Sequence, residues 1–165
     1  MSNAGNAVRI GSTLKLWQRC ASTFGGKWVF AKLLCFKAPY FGSIRPQFVE
    51  LQPAYCKLRI TKRRAVLNHI GTVHAIAMCN MAELAAGTMT EVTVPTTHRW
   101  IPKGMTVEYV KKATTDLIAI ATPLTNTDWS QAGEYKVKVE VLDRSDDLVF
   151  QAIITMWVSA KKNSS

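Results

Sequence analysis

The sequence predicts an α+β fold in which one antiparallel sheet wraps around one long helix. Three observations predict it. Val73, Ile76, Ala77, Met78, Met81, Leu84 and Ala85 make a helix that is apolar almost all round, and such a helix belongs inside a protein. Strand-like segments flank it: one at residues 54–61 before, and four after, at about 105–112, 117–123, 134–143 and 148–159. The link Asp143-Arg144-Ser145-Asp146-Asp147 is of hairpin type, so the last two strands are antiparallel neighbours.

In chain order, residues 1–11 read as a loose start. Ser12 caps a first helix reaching roughly residue 24, with Leu14, Trp17, Ala21 and Phe24 on one face. Gly25-Gly26 breaks it. A second helix over about 27–37 carries Val29, Phe30, Leu33 and Leu34 and stops at Pro39. In the first strand Ala54, Cys56, Leu58 and Ile60 alternate with Tyr55, Lys57, Arg59 and Thr61, the period of a half-buried strand. Gly87 is the expected stop of the long helix. Pro95 and Pro102-Lys103-Gly104 punctuate the loop after it. Tyr135, Val137, Val139 and Val141 alternate with Lys136, Lys138, Glu140 and Leu142, and the last strand is apolar on both faces, as a central strand is. The organisation is a basic amphipathic helical leader (1–45), a main domain (46–160) and a polar tail (161–165).

At 165 residues, 48% of them apolar, the chain suits one domain with a proper core, and disorder is excluded. No apolar run reaches the ~18 residues of a membrane span, and the N-terminus lacks a secretory signal's apolar core and cleavage site. Cys20, Cys35, Cys56 and Cys79 have no metal or redox spacing and read as reduced core thiols, so the expected compartment is the cytoplasm. The net charge of +10 is uneven: residues 1–49 hold Arg9, Lys15, Arg19, Lys27, Lys32, Lys37 and Arg45 and no acid. Such a leader is either a solvated basic face or a surface for an anionic partner, namely phosphate, nucleic acid or membrane. Residues 12–41 read first as a cover on the main domain and second as a membrane-surface element. No nucleic-acid motif accompanies the charge, so nucleic acid is not the expected partner.

Chemistry concentrates where the long helix begins. Asn68 and Gly71 are turn residues, tolerant of positive φ. His74 stands at the helix start and Glu83 lies within an apolar helix without a partner in the local sequence. A buried ionisable group finds a partner or shifts its pKa, which makes Glu83 the leading candidate for a functional carboxylate. The bland alternatives are a turn asparagine, a structural helix-start histidine and a solvent-facing glutamate. His69 and His98 have no motif support, and no metal site is expected.

The layout and the spacing Asn68-x-x-Gly71-x-x-His74, with Glu83 nine residues on, resemble the hotdog fold and, within it, the phenylacetate-pathway type of acyl-CoA thioesterase. Pro39-Tyr40-Phe41 and the stretch from Asn68-His69 to Glu83-Leu84-Ala85-Ala86-Gly87 are similar to an uncharacterised domain family of that superfamily. The resemblance implies hydrolysis of a medium- or long-chain acyl thioester of coenzyme A by a homodimer or tetramer. No cofactor is implied beyond the coenzyme A of the substrate. Glu83 would serve as general base or nucleophile, and amides around Ala75 as oxyanion hole. Asn68 would position water or substrate, and His74 would support the turn or contact the thioester. Gly71, Ala75, Asn80, Arg64 and Lys103 are the expected substrate-binding residues: Asn80 beside the carboxylate, and the two basic residues toward the coenzyme A phosphates. A non-catalytic acyl-CoA or lipid binder on the same fold is the alternative.

At ~100° and ~1.5 Å per residue, His74 and Glu83 fall on opposite sides of the helix about 13 Å apart along it. One chain can hardly bring both to one carbonyl, whereas two chains about a two-fold axis can. The chain departs from the family pattern twice. It has Ala75-Ile76 where relatives often have two glycines, so the Ile76 side chain could narrow the approach, and it has Glu83 where they mostly have aspartate.

Overall fold

The computed structural model describes residues 11–125 and 127–161. The expected loose start, apart from Gly11, and the tail beyond Lys161 lie outside the described residues. The elements run α1 (Ser12–Ala21), α2 (Gly26–Lys37), a 3-10 helix (Pro39–Ile44), β1 (Gln47–Gln52), β2 (Tyr55–Ile60), a 3-10 turn (Arg64–Val66), α3 (Ala75–Thr93), β3 (His98–Tyr109), β4 (Leu117–Pro123), β5 (Gly133–Leu142) and β6 (Leu148–Ala160). Six strands form one antiparallel sheet in the order β1-β2-β4-β5-β6-β3, with α3 packed on one face. This is the hotdog arrangement.

Alternation decides which side of each strand meets α3. Cys56, Leu58 and Ile60 on β2, Leu117, Ala119 and Ala121 on β4, and Val137, Val139 and Val141 on β5 are all fully buried. From α3 come Met81, Ala82, Leu84, Ala85, Ala86 and Met89, the alanines offering the sheet no bulk beyond a methyl group. Each fully buried leucine or methionine contributes roughly 1.5–3 kcal/mol, so the helix is held by packing rather than by its own propensity.

Several boundaries differ from the sequence reading. The helix α3 runs through Gly87 to Thr93. Its last turns are rich in threonine, and the hydroxyls of Thr88, Thr90 and Thr93 donate back to the carbonyls of Leu84, Ala86 and Met89 at 2.8, 2.7 and 2.6 Å. Polar groups that argue for a helix end are thereby satisfied inside the helix. Pro102 and Gly104 lie within β3, not in a loop. β3 pairs only with β6, and its register shifts between Pro102 and Gly104, so the missing proline N–H falls on an edge strand at a bulge. Strand β1, which the sequence reading lacks, pairs with β2 across a tight turn where Ala54 takes φ 63°.

The leader packs as two helices. α1 ends at Ala21 and its cap is Gly11, with Ser12 the first helical residue. Phe24, expected on the buried face of α1, lies outside the helix and is fully exposed. Phe30 on α2 packs edge-to-face with Trp17 on α1 and with Phe48 on β1, at ring-centroid distances of 5.2 and 5.1 Å. Lys27 reinforces this packing by donating to the Val49 carbonyl at 2.7 Å. The four cysteines are free thiols, but only Cys56 is buried; the other three are half-buried.

Candidate active site

The turn before α3 is built by Asn68. Its Oδ1 accepts the amides of Ile70 and Thr72, each at 3.1 Å, and its Nδ2 donates to the Thr72 hydroxyl at 2.8 Å. The side chain is thus spent on the turn. Gly71 supplies the left-handed step, with φ 78° and open space around it.

His74 is the N-cap of α3. Its backbone is extended, and its Nδ1 accepts the Ile76 amide at 3.0 Å, so the neutral ring carries its proton on Nε2. The imidazole does here what a serine or aspartate does at most helix starts. The cap takes the Ile76 amide, while the Ala75 amide makes no hydrogen bond among the described residues. Ala75 is therefore the free donor at the positive end of a 19-residue helix.

Around this helix start lies a cavity of about 170 Å³, walled by Tyr40, Ser43, Val66, His74, Ile76 and Asn80. Asn80 is buried. Its Nδ2 donates to the Ser43 hydroxyl at 3.2 Å, and its Oδ1 has no partner among the described residues. Ser43 arrives on the 3-10 helix Pro39–Ile44, an element the sequence reading passed over. Arg63 donates to the Ser43 carbonyl and anchors that segment. Tyr40 and Ser43 could have been found from Pro39, whose fixed φ favours a tight turn right after α2.

Glu83 faces elsewhere. It was expected to be buried, yet it is exposed on this chain. The reason is a stripe of α3, through Ile76, Cys79, Glu83 and Gly87, that turns away from the sheet and is left partly open. Glu83 lines a second cavity of about 580 Å³, roofed by the leader and floored by α3 and β3. Leu16, Phe30, Leu33, Phe41, Trp100 and Met156 make its walls mostly apolar. The other carboxylate there, Glu91, is engaged: it accepts the Trp100 indole N–H at 2.8 Å. Gly87 gives that indole room, since a Cβ there would stand 3.2 Å from the ring. None of the ion pairs among the described residues involves Glu83.

The expected basic residues are not gathered at either cavity. Arg64 is exposed on the short turn before Asn68. Lys103 pairs with Glu134 at 2.7 Å and lies over the Trp157 ring at 5.5 Å, on the sheet face opposite α3. No group of histidine, cysteine or acidic side chains among the described residues could hold a metal ion.

The sheet, its central helix and the two cavities define a hotdog-fold protein. A family described as a domain of unknown function (DUF4442) matches residues 26–158, and the chain belongs to that family. A structural-genomics crystal structure is 49% identical, with a TM-score of 0.79, covering 90% of this chain and 98% of the other. A thioesterase from Haemophilus influenzae is similar in structure at 10% identity, TM-score 0.71, covering 87% of this chain and 97% of that one. A thioesterase family protein from Silicibacter pomeroyi follows at 12% identity, TM-score 0.68, with 79% and 96% covered. At such identities the last two speak to the fold alone. A search of curated proteins finds no match.

Proposed function

We propose that this protein is a thioesterase that hydrolyses a medium- or long-chain acyl-CoA and works as a homodimer. The observation that carries the reading is Glu83: a carboxylate with no ion-pair partner among the described residues, in the wall of a mostly apolar cavity of about 580 Å³. That volume falls within the ~300–1,000 Å³ of ordinary ligand pockets, and aliphatic and aromatic walls suit a hydrocarbon chain. Thioesterases on the same fold, though distant, point in the same direction.

In this reading the acyl chain lies under the leader with its carbonyl near Glu83. As general base the carboxylate takes a proton from a water whose oxygen adds to the carbonyl carbon; the C–S bond then breaks, and the thiol leaves with that proton as the carboxylic acid forms. As nucleophile it adds to the carbonyl itself and expels the thiolate to give a mixed anhydride, which water then hydrolyses to the acid and free Glu83. Negative charge on the carbonyl oxygen is met by the Ala75 amide of the second copy, at the N-terminus of its α3. Asn80 and His74 keep that helix start in place. Coenzyme A enters as part of the substrate, and no other cofactor is needed.

The test is thiol release from acyl-CoAs from acetyl to palmitoyl, on the native chain and on Glu83→Gln. Turnover is expected to peak at one chain length and to fall at least ~100-fold in the variant. Ile76, 54% exposed at the helix start where relatives often have glycine, favours a second reading as a non-catalytic acyl-CoA binder. Binding of acyl-CoA without turnover at any chain length would select it.

A further inference from the structure

We propose that the outward face of the leader docks on an anionic lipid bilayer, with α2 lying in the headgroup zone. The proposal does not rest on the thioesterase reading, because it is argued from the solvent-exposed arc of α2 and from the leader's charge.

α2 is apolar on two sides. Phe30 and Ala31 are buried and Leu34 is half-buried against the domain. At ~100° per residue, Trp28, Val29, Lys32, Leu33 and Phe36 occupy the opposite arc. They are open to solvent: Trp28 is 64%, Leu33 47% and Phe36 89% exposed, and Phe24 in the turn before α2 is fully exposed. A helix that is apolar on both sides needs a second apolar surrounding.

Charge selects which one. Lys15, Arg19 and Lys32 are exposed on α1 and α2, and none of them pairs with a carboxylate among the described residues. No acid occurs before Glu50. A second copy seated on this face across a two-fold axis would bring like charges together. An anionic bilayer answers both features: aromatic side chains settle at the headgroup level, and lysines reach the phosphates while their stems lie on apolar surface. Lys32 already spans the two, with its ammonium 5.4 Å from the Trp28 ring centroid. Among the described residues no helix is long and apolar enough to cross a membrane, so docking is peripheral. Leu33 belongs both to this face and to the cavity wall, so the cavity reaches the surface at the docking side.

The experiment is co-sedimentation of the full chain with phosphatidylcholine vesicles, with and without phosphatidylglycerol. Binding is expected only to the phosphatidylglycerol vesicles and is expected to weaken as salt rises. Lys15→Gln and Lys32→Gln are each expected to weaken it about fivefold. Trp28→Ser with Phe36→Ser is expected to weaken it at least ~10-fold, at unchanged thermal stability because both side chains are already solvent-exposed. The proposal is overturned by absent binding, by equal binding to both vesicles, or by binding that neither set of variants reduces. It is also overturned if Trp28→Ser with Phe36→Ser dissociates an oligomer on size exclusion, which would make the face a contact between copies.

Discussion

Glu83 and His74 share one helix, yet each opens onto a different cavity: Glu83 onto the large apolar one under the leader, His74 onto the small one at the helix start. In the proposed mechanism a single copy therefore has a carboxylate without an oxyanion donor and a helix N-terminus without a carboxylate. β3 offers the means to join two copies. It is a 12-residue edge strand, and Met105 and Tyr109 on its α3 side are 39% and 50% exposed. An edge of that length invites pairing. The expected state in light scattering is a dimer, which Met105→Glu should weaken at least ~10-fold by burying a charge.

The same arrangement predicts complementation. Glu83→Gln and His74→Ala should each be nearly inactive as pure dimers. After exchange of subunits, half of the dimers are mixed and each holds one intact site of two, so about a quarter of the native activity should return. A mixture as inactive as its parents would mean that the two residues do not act in one shared site.

β4, β5 and β6 are legible to within a residue because each is a run rich in apolar residues bounded by turns, and β5 alternates cleanly as well. The turn Asn68–Gly71 is legible too, since asparagine and glycine act there through local geometry alone. What was hidden depended on partners distant in sequence. β1 shows little periodicity until β2 lies beside it, and Pro102 argues against a strand until the strand is known to be an edge. Glu83 looked buried because the apolar residues of α3 run nearly all round the helix. Only the sheet's position shows that one stripe is left for something other than this chain's core. Val29 and Leu33 stand in the sequence beside Phe30 and Leu34 as apolar residues of one helix, yet they are exposed: an apolar residue on a leader helix does not announce which side it faces.

His74 should behave as a cap when replaced. Its Nδ1 holds the Ile76 amide, so His74→Ala should cost about 1 kcal/mol, read from urea unfolding. His74→Asn retains an acceptor at the cap and should recover most of that loss. Equal destabilisation by both variants would show that the ring's packing, not its hydrogen bond, is what matters.

Cavity size should set chain length. Leu33 lines the large cavity and is also half open to solvent, so it can be enlarged without disturbing the core. Leu33→Trp is expected to move the preferred acyl-CoA to a shorter chain, with kcat for short chains kept and KM for palmitoyl-CoA raised severalfold. An unchanged profile across the panel would place the acyl chain outside this cavity.

Alkaline stability should report on Tyr135. The side chain is 1% exposed, its ring 5.2 Å from that of Trp129, and burial pushes its hydroxyl up to about 12, against a smaller opposing pull from Thr93. An unfolded tyrosine ionises near pH 10. The folded state therefore favours the protonated form, and that stabilisation is complete below about pH 10 and is lost as pH rises from there through 12. A shift of this size amounts to roughly 2–3 kcal/mol across the window. Burial pushes the Cys56 thiol up as well, so the decline has the same sign from a second group and starts somewhat lower. Urea unfolding at pH 8 and pH 11 should then show a smaller loss of stability for Tyr135→Phe than for the native chain. The variant should still decline through Cys56, and equal losses in both proteins would show that the Tyr135 hydroxyl ionises without unfolding cost.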